Sequence, residues 1–160
     1  DMAGKKVLKA RPKIYIADAA IQNAVLMDDS ILTNPVQMGK IVETAVYKHV
    51  AAFYYQRVTS VGYFRGGRKN KEIDIVVDYP HAKNILIEVK YRENAVIPDD
   101  DAISELAGEA SSAIIVTKTP DDFGTHQTKS GTEMLRIPAF AFLYLLGNAE
   151  KAGYPADDLL

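Results

Sequence analysis

The chain predicts an α/β domain: a central mixed β-sheet of about four or five strands flanked by helices, in the order helix, three strands, helix, strand. Three stretches carry that expectation. QMGKIVETAVYKHVAAFYYQ repeats its apolar residues at helical spacing, and EIDIVVDYPHAKNILIEVKY alternates as two strands around a turn. SSAIIVTKT is an unbroken apolar run of the kind found in strands buried on both faces.

KIYIADAAIQNAVLM reads as a short strand at about Lys13 to Ala17, then a short helix opened by Asp18 as its N-cap. After DDSILTNP comes the main helix, where Met38, Ile41, Val42, Ala45, Val46, His49 and Phe53 form one apolar stripe. Glu43 sits about 100° round from Val42, at the border of that stripe, where it can reach over whatever the helix covers. RVTSVGYFR alternates and is β-branched, GGRKN is a Gly-rich turn, and the two quoted strands complete a meander. DDDAISELAGEA, from Asp99, places acids where a helix dipole favours them and closes near Gly108. SSAIIVTKT then supplies a central strand. PDDFGTHQTKSGTE reads as a polar loop, Met134 to Ile137 as a last short strand, and IPAFAFLYLLG as a buried helix or strand-helix junction. The expected organisation is one compact domain, with a lead-in over 1–34, a main body over 35–148 and a tail over 149–160.

With 160 residues, 48% of them hydrophobic, the chain is long enough for one full core. It has no cysteine, which excludes disulfides, thiolate zinc sites and thiol catalysis and agrees with a reducing, cytoplasmic setting. The longest apolar run is about half of the roughly 20 residues a membrane-crossing helix needs, so no membrane partner is expected. No signal-peptide pattern opens the chain, and DMAGKKVLKARPK lacks an initiating Met at position 1, so a piece of a longer protein is expected. A net charge of -2 leaves nucleic-acid binding to local basic groups, of which Arg65, Arg68, Lys69 and Lys71 are the candidates.

The hairpin carries the chemistry. Ile73, Ile75 and Val77 line one face of its first strand, and Ile85, Ile87 and Val89 one face of its second, both turned to the core. The opposite faces carry Glu72, Asp74, Val76 and Asp78 on one strand, and Leu86, Glu88 and Lys90 on the other. A five-residue loop over Tyr79 to Lys83 sets Asp74 opposite Glu88 and Glu72 opposite Lys90. Like charges facing each other across strands repel, so a cation is expected between Asp74 and Glu88. Two such carboxylates can hold Mg²⁺ or Mn²⁺, which activates water and offsets charge on a phosphodiester. Lys90 would orient or deprotonate that water and stabilise the developing charge, and Glu43 would add a ligand through water. The ordinary alternative is a solvent-facing hairpin with cross-strand charge pairs such as Glu72 with Lys90.

Glu43, Asp74 and Glu88-Val89-Lys90, in that order over residues 37 to 118, resemble the PD-(D/E)xK nuclease superfamily. The resemblance implies a helix bearing an acid, a meander bearing Asp and then Glu-x-Lys, and metal-dependent hydrolysis of DNA. Ile73 stands where that pattern often has Pro, and the helix after the meander shows no clear Gln-containing motif. RPKIYIADAAIQNAVL, QMGKIVETAVYKHV, RKNKEIDIVVD and ILIEVKYRE resemble more closely the C-terminal domain of unknown function found behind AAA-type ATPase modules in prokaryotes. That resemblance implies an ATPase domain as partner within a longer chain. There is no GxxxxGK[ST] segment here, so this chain is not expected to bind ATP.

Two function classes follow: a Mg²⁺- or Mn²⁺-dependent deoxyribonuclease using Asp74, Glu88, Lys90 and Glu43, and a non-catalytic module of the same fold that docks nucleic acid or a partner protein. A homodimer is expected by analogy with related nucleases. His49, His81 and His126 lack ligand spacing, and His49 is expected in the core. Tyr47, Phe53, Tyr54, Tyr55 and Tyr63 could stack on bases but are expected to pack internally.

Overall fold

The computed structural model describes residues 13–26, 30–55, 57–66 and 71–152. A short helix α1 (Ile21–Leu26) and one 3₁₀ turn lead into α2 (Pro35–Tyr54). Asn34 starts α2 by accepting the backbone N–H groups of Val36 and Gln37 on its side chain, and Pro35 occupies the first turn, where a missing N–H costs nothing. The meander follows as β1 (Ser60–Gly66), β2 (Lys71–Asp78) and β3 (Ile85–Lys90). Then come α3 (Ala102–Leu106), β4 (Ser112–Thr117), β5 (Gly124–Gln127), β6 (Glu133–Pro138) and α4 (Ala139–Ala152). None of the described helices is long and apolar enough to cross a membrane.

These strands form one mixed six-stranded sheet in the order β1-β2-β3-β4-β6-β5. The meander is antiparallel, β4 lies parallel to both β3 and β6, and β5 runs antiparallel to β6 at the edge. The expected count of four or five strands is corrected to six among the described residues, because GTHQ, assigned to a polar loop, forms β5. Its residues are mostly exposed and show no apolar alternation, so only pairing with β6 marks it as a strand. The lead-in strand expected at Lys13 to Ala17 is also corrected. This stretch joins no ladder and is held by side chains instead.

Both faces of the sheet are covered. On one, Val46, Val50 and Phe53 of α2 and Phe142 and Leu146 of α4 close over Ile75, Ile87 and Ile114. On the other, Ile103 of α3 packs with Ile73, Val76, Leu86, Ile115 and Met134. The face bearing the acids, expected to be the polar side of the hairpin, is therefore partly core. Ile73 changes sides as well. Gly62 pairs with Val76 but Phe64 with Ile73, so β2 takes three steps where β1 takes two, and alternation is broken around Asp74. Ile73 consequently shares a face with Val76 rather than with Ile75. His49 is exposed, not in the core, because only Val46, Val50, Phe53 and Tyr54 of α2 are fully covered.

Candidate functional site

Pairing of β2 with β3 runs from Val77–Ile85 to Ile75–Ile87, the register in which Asp74 falls opposite Glu88. Beyond that point the two carboxylates replace the ladder. Val89 N–H donates to Asp74 Oδ2 at 3.0 Å, and Asp74 N–H donates to Glu88 Oε2 at 3.3 Å. Each acid thus accepts a hydrogen bond from the other's strand, which holds the pair in place. Asp74 lies in the register shift between β1 and β2, and its second oxygen, Oδ1, faces Lys13.

Each carboxylate has its own ammonium. Lys90 Nζ lies 2.6 Å from Glu88 Oε1 and 3.4 Å from Asp101 Oδ2 at the start of α3. Lys13 Nζ lies 2.8 Å from Asp74 Oδ1, 3.0 Å from Glu43 Oε1 and 3.8 Å from Glu72 Oε2. Tyr15 completes this cluster: its hydroxyl donates to Glu43 Oε1 at 2.8 Å, and its ring stacks on Tyr47 with centroids 4.0 Å apart. Lys13 bridges Glu43 and Asp74.

Burial, followed by the charge of Asp74, pushes the Glu88 carboxyl up to about 7 against the opposing pull of Lys90. Burial disfavours the charged form of both lysines, but the carboxylates around them outweigh it, so Lys13 and Lys90 end above the ordinary lysine value. Burial and then the bond to Glu43 also raise the Tyr15 phenol, which stays protonated as a donor.

Asp74, Glu88 and Lys90 are brought together as the spacing suggested, with Glu43 one ammonium away. The Glu72–Lys90 pair expected of a solvent-facing hairpin is corrected: Glu72 pairs with Arg65 and approaches Lys13, while Lys90 turns to Glu88 and Asp101. Arg65 and Lys71 of the basic stretch are bonded to Glu72 and Glu105, and Arg68 and Lys69 lie outside the described residues. Among the aromatic residues, Phe53 and Tyr54 are buried, Tyr47 and Tyr63 half-buried, and Tyr55 exposed. Sequence reasoning missed Lys13, Tyr15 and Asp101. The only signal for the first two was alternation in KIYI, and Asp101 was assigned to the helix dipole although its side chain makes no cap bond.

As folded, these residues do not fit a divalent ion. Both oxygens of Asp74 and both of Glu88 have protein partners, and Glu43 Oε1 accepts from Lys13 and Tyr15. Among the described residues, no three His, Asp or Glu side chains converge to hold a metal.

A family model described as "Domain of unknown function (DUF4143)" matches residues 38–140. No curated protein and no solved structure matches the chain.

Proposed function

We propose, for a chain that belongs to the DUF4143 family, that this domain hydrolyses DNA phosphodiesters on a PD-(D/E)xK-type core and works beside an AAA-type ATPase domain. The observation that carries the reading is the pairing of Asp74 and Glu88 across β2 and β3, with Lys90 held against Glu88. Hydrolysis needs a proton acceptor for the attacking water and positive charge near the phosphoryl oxygens. Glu88, whose carboxyl is raised to about 7, exchanges a proton readily near neutral pH. Lys90 offers an ammonium on the same strand, which would face charge building on the phosphate. Asp74 holds the β3 backbone at Val89 and so positions both groups.

The second reading is a non-catalytic module that docks nucleic acid or a partner protein. The commitment of the carboxylate oxygens to protein donors favours it. Incubating the purified chain with linear, supercoiled and branched DNA in Mg²⁺ or Mn²⁺ separates the two. Parent and Lys13→Gln chains are run beside Asp74→Ala and Lys90→Ala variants of each. Cleavage that disappears in both alanine variants, with circular dichroism unchanged, is the expected result. Absence of cleavage in the parent and in Lys13→Gln alike would sink the hydrolase and leave the docking module, which a salt-dependent DNA affinity would mark as nucleic-acid binding.

A further inference from the structure

Lys13 holds a position that a metal-dependent acid site would give to a cation. Its ammonium lies within 4 Å of three carboxylates on two elements of the fold: Glu43 from α2, and Glu72 and Asp74 from β2. It is the bridge between the helix acid and the strand acid, and it uses the one oxygen of Asp74 that the β3 backbone leaves open.

Among the described residues, the segment that brings it there is attached by few bonds. Residues 13–16 belong to no helix or strand, and no backbone hydrogen bond ties them to the sheet among the described residues. Lys13 and Tyr15 point inward, whereas Ile14 is 83% exposed and Ile16 42% exposed. Among the described residues, the Lys13 ammonium, which also lies over the Tyr63 ring, and the Tyr15 side chain hold the segment, with little apolar burial behind them. A contact of this kind opens locally at far lower cost than the sheet it rests on.

We infer that the segment 13–16 is an internal latch, in which the Lys13 ammonium stands in for a divalent cation between Glu43 and Asp74 and must withdraw before a metal can enter. This rests on the hydrolase reading and assigns that site its regulation. Withdrawal frees Asp74 Oδ1 and Glu43 Oε1 together, the oxygens now facing a single cation. Tyr15 sets how firmly the latch closes, because its hydroxyl shares Glu43 Oε1 with Lys13 and its ring rests on Tyr47 of α2. Because Mn²⁺ would bind only the open form, its apparent affinity in the parent is reduced by the fraction of molecules that are open.

The test is a Mn²⁺ titration of the full chain by calorimetry or by the electron paramagnetic resonance of free Mn²⁺, with no DNA present. Lys13→Gln is expected to bind Mn²⁺ at least about tenfold more tightly than the parent, and Tyr15→Ala to bind it more tightly by a smaller factor. Adding Asp74→Asn to Lys13→Gln is expected to abolish the gain. Equal Mn²⁺ affinity in parent, Lys13→Gln and Tyr15→Ala would overturn the latch while leaving a metal-binding hydrolase in place. No Mn²⁺ binding by any of these chains would also overturn the latch, and DNA cleavage decides the hydrolase separately. If Lys13→Gln does not fold, Tyr15→Ala decides alone, since an unchanged affinity there also overturns the latch.

Discussion

Glu88 is nearly buried, faces Asp74, and keeps one ammonium for company. Burial and then Asp74 raise its carboxyl from an ordinary 4.5 to about 7, a difference worth about 3 kcal/mol. Because the folded value lies above the unfolded one, the stability this group contributes is full below about 4.5 and is lost as pH rises through about 7. Glu88→Gln keeps the shape without the titration. In urea unfolding, its stability relative to the parent should therefore improve by about 3 kcal/mol between pH 4 and pH 8. An advantage that shrank with rising pH would mean that the pairing with Lys90 outweighs desolvation. The opposition of Asp74 and Glu88 was legible at this scale from loop length and alternation alone. Their cations were not: Lys13 is 61 residues from Asp74 in sequence, and no local pattern relates positions so far apart.

Each element owes its form to a different cause. The start of α2 is local chemistry, an Asn side chain on two orphan N–H groups followed by Pro35. Asn34→Ala should cost about 1 kcal/mol in chemical denaturation, while Asn34→Asp should keep the cap and gain from the helix dipole. Equal losses in the two variants would show that the cap bonds add nothing. The helix itself was legible from its apolar period, but the width of its covered stripe was not, and His49 falls outside it. β5 shows the opposite case, since an exposed edge strand needs no apolar alternation and is defined by its neighbour. The register shift between Gly62 and Phe64 leaves only Gly62 as its mark in RVTSVGYFR, and Asp74 lies within it.

Across the whole molecule, the sheet separates two apolar clusters, and the site lies where strand pairing gives way to side-chain bonds. The short α3 joins the two concerns: Ile103 fills the second cluster, and Asp101 beside it reaches Lys90. Ile103→Ala should destabilise the chain by about 2–5 kcal/mol in a single cooperative transition. A separate early transition, with the α2 and α4 side intact, would instead divide the molecule into two folding units. The sequence by itself determined the mixed α/β class, the meander, the buried central strand and the facing of Asp74 with Glu88. All of these depend on periodicity and loop length within one or two neighbouring elements. Only the tertiary structure decided that both faces of the sheet are covered, that Asp101 turns to Lys90, and that Lys13 rather than Glu43 meets Asp74 directly. Those contacts join segments distant in sequence, and packing and charge balance select them only once the whole chain has closed.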